Sequence, residues 1–192
     1  MMRKCLILAN VLSAALMWAQ EPGKPGTPLP TLTAKDLSGS SVTVSTAGKV
    51  TAVLFIATQC PISNDYNQRM EAVYKDYAPR GVQFVFLNAN STEAAAEIDK
   101  HARESGFSFK VLKDEGSVMA DALGAQFTPE TYVVNTKGVI VYHGRIDDAR
   151  NEARVTAKSL RGALDATLAG KAVEPAEAKA FGCTIKRAKK TT

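Results

Sequence analysis

The sequence predicts an α/β sandwich built on a mixed central sheet, on three observations. Short apolar runs alternate with segments of helical period through the first part of the chain. Two further apolar runs then flank the turn Asn135-Thr136-Lys137-Gly138, which predicts a hairpin. A last helix-period segment follows. Neither an internal repeat nor a second domain is apparent.

The elements follow in order. Ser41 to Val44 reads as a short strand of an opening hairpin. Val50 to Ala57 is nearly continuously apolar, as a central strand covered on both faces would be. Tyr66, Met70, Val73, Tyr74 and Tyr77 recur at helical spacing, and Pro79-Arg80-Gly81 closes that helix. Val82 to Leu87 is the next buried strand. Glu93 to Ser105 is helical, with Ala94, Ala95, Ile98 and Ala102 as its inner stripe and Gly106 as its stop. Phe109 to Leu112 is a shorter strand, and Ser117 to Leu123 a small helix closed by Gly124. Thr131 to Val134 and Val139 to Tyr142 form the hairpin, and the last helix runs from Ala153 to Ala169.

The amino terminus has a positive head, Arg3 and Lys4, then an apolar run to Trp18 and small residues ending at Ala19. This pattern predicts a secretory signal peptide over residues 1–19, which would carry away Cys5 and Trp18. The run is short and interrupted for a membrane span. Residues 20–30, rich in Pro and Gly, read as a flexible leader. Residues 31–170 form the domain and 171–192 a tail. The formal net charge is +5, and Lys186, Arg187, Lys189 and Lys190 concentrate positive charge in the tail. A nearly neutral body argues against nucleic-acid binding; membrane contact is expected at most through an uncleaved leader.

Thiol chemistry is the leading functional idea. Phe55-Ile56-Ala57-Thr58-Gln59-Cys60-Pro61-Ile62-Ser63 ends an apolar strand at a cysteine, and a proline then opens a helix. Unpaired N–H groups in a first helical turn favour a thiolate. After export two cysteines are left, Cys60 and Cys183. An even pair in an exported chain invites a disulfide, and a structural staple and a reversible pair both fit. Two distant cysteines with His101 and His143 make no metal motif, so neither a metal nor another cofactor is expected.

Four segments carry a resemblance: Thr58-Gln59-Cys60-Pro61, Phe127-Thr128-Pro129, Tyr142-His143-Gly144-Arg145-Ile146-Asp147-Asp148, and Phe181-Gly182-Cys183-Thr184-Ile185-Lys186. Over about residues 28–170 the chain resembles the thioredoxin-like superfamily. Within it, the redoxin branch is the match, with its peroxiredoxin-like and thiol–disulfide oxidoreductase-like members. The last two segments look like an exported bacterial subfamily with a GCxIK-type tail. The resemblance implies a thioredoxin-like sandwich with Cys60 as the attacking thiol. Relatives carry a second cysteine three residues on, where this chain has Ser63, so the close dithiol is lost. Cys183 is the simplest replacement as resolving thiol; its tail, extended from Gly170, reaches up to roughly 40 Å. Pro129 is implied to be the cis proline facing Cys60, which leaves the backbone of Thr128 free to pair with an extended peptide.

Other residues of these segments each have two readings. Glu130 could move a proton near Cys60 or lie on the surface. Arg145, Asp147 and Asp148 could brace the tail around Cys183 or form a plain salt-bridge group. Ser63 can cap but cannot close a disulfide. Asn88 and Asn90 are placed to tie loops to the backbone.

The expected activity is thiol–disulfide exchange on exported protein or small-molecule disulfides, with a separate thiol reductant or oxidant as partner. The expected location is the periplasm or the extracellular space. A thiol peroxidase is the first alternative. Ala57, where peroxiredoxins carry threonine, weakens it, because Thr58 stands only two residues before Cys60. A non-enzymatic copper-handling or binding domain is the second, weakened by Ser63.

Overall fold

The computed structural model describes residues 21–188. The expected signal peptide lies outside them. Ten strands and five α-helices are seen among the described residues. Eight strands form one sheet in the order β2-β1-β5-β4-β3-β7-β8-β9. They are β1 (Leu32–Lys35), β2 (Ser41–Val44), β3 (Thr51–Phe55), β4 (Gln83–Asn88), β5 (Val111–Lys113), β7 (Glu130–Val134), β8 (Ile140–Gly144) and β9 (Glu177–Ala178). The sheet is mixed: β3, β4 and β5 run parallel, while β7 pairs antiparallel with both β3 and β8. The thioredoxin-like α/β sandwich is the observed architecture.

Alternation explains the two layers. Ala52 and Leu54 of β3 point into one apolar cluster, Val53 and Phe55 into the other, and all four are buried. The first cluster takes Met70 and Val73 from α2 (Asn67–Tyr77), Ile98 from α3 (Ala95–Glu104) and Leu160 and Leu164 from α5 (Ser159–Leu168). The second takes Met119 and Leu123 from α4 (Val118–Leu123). A central strand buried on both faces has no polar side to show, which is why its sequence is a continuous apolar run. Tyr66, Met70, Val73 and Tyr77 are buried as their spacing predicted.

Three segments differ from the sequence reading. The Pro/Gly-rich stretch expected to be flexible is bonded to β8: Gly26 N–H donates to Ile140 O, Ile140 N–H to Thr27 O, and Leu29 N–H to Gly138 O. Gly23 passes so close to the end of α4 that a Cβ there would stand 1.9 Å from Leu123 O. The last helix begins at Ser159; Glu152–Arg154 is a single 3-10 turn. Glu93 stands before α3 and is buried.

The tail is ordered by pairing. β9 runs parallel to β8, with His143 opposite Glu177 and Gly144 opposite Ala178. Gly144 has φ +151, and a Cβ there would sit 1.9 Å from Ala178 O, so only glycine admits the tail at that point. β10 (Cys183–Thr184) then pairs antiparallel with β6 (Phe127–Thr128) as a separate two-stranded ribbon.

Candidate active site

β3 ends at Phe55, and the chain turns through Thr58 and Gln59 into α1 (Pro61–Asp65). Cys60 is the N-cap of this short helix, with Pro61 in its first turn, where a missing N–H costs nothing. Cys60 is 3% exposed. The Ser63 N–H donates to its Sγ at 3.3 Å. The Ser63 hydroxyl accepts the Ala57 N–H at 3.1 Å. The serine standing where relatives carry a second cysteine thus ties the strand end to the helix. Asn64 adds a bond from its side-chain amide to Thr58 O.

Cys60 and Cys183 are joined in a disulfide with their Cα atoms 5.9 Å apart, within the usual span. β6 delivers the second sulfur: Cys183 is paired with Thr128, and the Thr128–Pro129 peptide is cis. Cys60 Sγ lies 3.3 Å from the Thr128 carbonyl oxygen. Gly182 approaches so closely that a Cβ would stand 2.1 Å from Thr128 O. Phe181 meets the Tyr66 ring edge-on at 6.2 Å, and Ile185 is buried in the second apolar cluster. Ile185 N–H donates to Gln126 O and Lys186 N–H to Asn90 Oδ1. Lys186 O accepts from the Ser91 N–H and hydroxyl. The tail is held on both sides of Cys183.

A buried carboxylate supports the Cys60 loop. Glu93 accepts the N–H groups of Thr58 at 2.8 Å and Gln59 at 3.1 Å, and the side-chain amides of Asn88 and Asn90. Burial pushes its carboxyl up, but the bonds from Asn88, Thr58 and Gln59 outweigh this and hold it below the usual carboxylate range. Lys113 lies beneath, its ammonium donating to Glu93 O at 2.8 Å. Asn88 and Asn90 therefore do tie loops together, and Asn90 reaches the tail as well. Glu93 escaped the sequence reading because it precedes an alanine-rich helical run and passes for its first residue. A carboxylate five residues past the end of β4, the strand beside the cysteine's strand, was the available signal.

Glu130 is also buried. Its Oε2 accepts the Gln126 and Phe127 N–H groups, both at 2.7 Å, and its Oε1 meets Tyr132 Oη and His143 Nε2 at 3.2 and 2.6 Å. Burial raises its pKa, while His143 and the two amides bring it below the ordinary range. Both oxygens are engaged in shaping the loop before β6, and the acceptor within bonding distance of Cys60 Sγ is the Thr128 carbonyl. The expected brace around Cys183 is not formed by the Arg145, Asp147 and Asp148 side chains. Asp147 accepts from Arg69 at 2.7 and 2.9 Å and from the Tyr66 hydroxyl at 2.8 Å. Asp148 accepts from Thr156, and Arg145 Nε donates to Ser159 Oγ. Asp147 bears on the tail through Tyr66, whose ring meets Phe181. Arg145 meets the tail through its backbone N–H, which donates to Ala178 O.

A model of the AhpC/TSA family matches residues 25–143. The chain belongs to that family. Among related sequences, this AhpC/TSA protein is 32% identical over 110 residues to the thiol-disulfide oxidoreductase ResA of Halalkalibacterium halodurans. The match spans 56% of this chain and 60% of that protein's length. A crystal structure of an uncharacterized conserved protein from Geobacillus kaustophilus superposes with a TM-score of 0.81 at 30% identity, over 88% of this chain and 95% of that one. A hypothetical protein from Sinorhizobium meliloti gives a TM-score of 0.79 at 30% identity, over 86% and 95%. A putative thiol:disulfide interchange protein DsbE from Chlorobium tepidum gives 0.64 at 18% identity, over 76% and 98%, a likeness of fold alone. No helix of the described residues is long and apolar enough to cross a membrane.

Proposed function

We propose that this AhpC/TSA protein is an exported thiol–disulfide oxidoreductase in which Cys60 attacks and Cys183 resolves. The observation that carries this reading is the bond between a helix-start cysteine and a cysteine that a paired tail strand delivers to it. A fully inert staple needs no helix N–H on one sulfur, whereas the Ser63 N–H is placed to stabilise Cys60 as a thiolate.

In the reducing direction, the Cys60 thiolate attacks one sulfur of a substrate disulfide. A Cys60–substrate disulfide forms and the other substrate half leaves as a thiolate. The Cys183 thiolate then attacks Cys60 Sγ, releases the second half and closes Cys60–Cys183. Two external thiols, or one dithiol, restore the Cys60–Cys183 dithiol: the first thiolate forms a mixed disulfide, the second attacks it, and the reductant leaves as its own disulfide. Cys183 is the less buried residue of the pair, so the first thiolate attacks there, and Cys60 leaves in the anionic state that the Ser63 N–H accommodates. In the oxidising direction the same steps run backwards. Pro129 shapes the turn that presents Thr128, and Glu130 fixes the loop before it.

Parallel assays of the reduced protein with a protein disulfide and with hydrogen peroxide test the proposal. Disulfide turnover should exceed peroxide turnover by at least about tenfold. The reverse order would make the rival thiol peroxidase the correct reading. Export is tested by amino-terminal sequencing of the protein from its native cells; the mature chain should start near Gln20.

A further inference from the structure

Asn90 is buried where two parts of the site meet. Its side-chain amide has a carbonyl that accepts and an NH₂ that donates, and each serves a different part. Oδ1 accepts the Lys186 N–H at 2.7 Å, three residues past Cys183. Nδ2 donates to Glu93 Oε1 at 2.8 Å, the oxygen that also takes the Gln59 N–H beside Cys60. The Lys186 N–H needs an acceptor and the Glu93 carboxylate a donor, which fixes the way the amide faces. Ser91 completes a clamp on the same tail residue: its N–H and hydroxyl donate to Lys186 O at 2.7 and 2.8 Å. The backbone oxygen of Asn90 is itself held by the Lys113 ammonium. Among the described residues, Asn88 also donates to Glu93 but makes no bond to the tail.

We infer that Asn90 is a positioning residue for the resolving step: it joins the tail to the carboxylate that holds the Cys60 loop, and so sets how effectively Cys183 meets Cys60. This deepens the oxidoreductase reading and rests on it. Cys183 comes to Cys60 as a tethered thiol, and its effective concentration there depends on how narrowly the tail is held. Asn90 holds Lys186 against the carboxylate that fixes the Thr58 and Gln59 backbone, one residue from the attacking sulfur. An amide that accepts on one side and donates on the other is polarised by both bonds, so each strengthens the other. A seated tail thereby tightens the Cys60 loop, and a tight loop favours a seated tail. Loss of the Asn90–Lys186 bond weakens closure of Cys60–Cys183 while both sulfurs remain in place.

The test equilibrates the full mature chain with mixtures of glutathione and glutathione disulfide and measures the fraction closed as Cys60–Cys183. Each reduction consumes two glutathiones, which supply two electrons and two protons and leave as one glutathione disulfide. Lys186→Pro removes the N–H that Asn90 accepts, whereas Lys186→Ala keeps it. Lys186→Pro should lower the equilibrium constant for closure about tenfold, a shift of about 30 mV toward easier reduction. Lys186→Ala should stay within about twofold of the wild type. Asn90→Ala should shift the constant in the same direction as Lys186→Pro. The double variant Asn90→Ala/Lys186→Pro should fall well short of the product of the two single effects, because both remove one bond. A general loss of stability would instead multiply across the two positions. A Lys186→Pro constant within about twofold of the wild type, or single effects that multiply in full, would overturn the role of Asn90 and leave the oxidoreductase reading intact. A wild-type disulfide that exchanges neither with glutathione nor with a protein dithiol would overturn both.

Discussion

At the scale of single residues, Cys60 is set by two neighbours with opposite effects. The Ser63 N–H favours the thiolate, and the Thr128 carbonyl oxygen favours the thiol. The N–H bond and the first helical turn act together, so the reduced Cys60 thiol should titrate below the reference of about 8.5. Alkylation rates across pH on the reduced protein measure this; a midpoint at or above that value would remove the basis for an activated nucleophile. Glu93 makes a separate prediction. Its bonds lower its pKa in the folded state, so it stabilises the fold above the ordinary value of 4.5 and loses that contribution as pH falls through the lowered value. Urea midpoints of the wild type should therefore decline below pH 4.5, and less steeply in Glu93→Gln. Glu93→Ala leaves the Thr58 and Gln59 N–H groups unpaired and should cost about 1–3 kcal/mol.

At the scale of elements, strands and helices whose burial follows from their own period were legible in the sequence. β3 lies within its expected segment, β4 and β7 run one residue past theirs, at Asn88 and Glu130, and β8 runs on to Gly144; the Asn135 turn closes with Asn135 Oδ1 accepting the Lys137 and Val139 N–H groups. The two-residue strands β9 and β10 were not legible, because so short a segment carries no period and becomes a strand only by finding a partner edge. The docked leader was missed for the same reason: its backbone is satisfied by β8, a tertiary fact. The resemblance picked out Cys60, Cys183 and Pro129, but Glu93 and the Arg69–Asp147–Tyr66 group depend on residues brought together from separate elements. Ile185 is the apolar anchor of β10. Ile185→Ala should cost about 2–5 kcal/mol in the oxidised protein, where the disulfide couples the tail to global unfolding. The cost should be smaller in the reduced protein, where the tail can detach first. Denaturant unfolding of both forms makes the comparison; equal losses would contradict the coupling.

At the scale of the whole molecule, the disulfide closes a span of 123 residues from the central strand's end to the tail. The sandwich core is complete without the tail except at Ile185 and its partly buried neighbours, so reduction should open the tail and leave the sheet intact. Hydrogen exchange should then speed up at the Ile185 and Lys186 amides, which donate to Gln126 and Asn90, while the β3 amides stay protected. The most direct measurement of the central claim is mass spectrometry of Cys183→Ser after reaction with a disulfide substrate, with small thiols excluded. The account predicts that substrate accumulates on Cys60 as a mixed disulfide, that turnover stalls, and that Cys60→Ser shows no adduct. Turnover of Cys183→Ser at the wild-type rate would contradict it and reduce the tail cysteine to a staple.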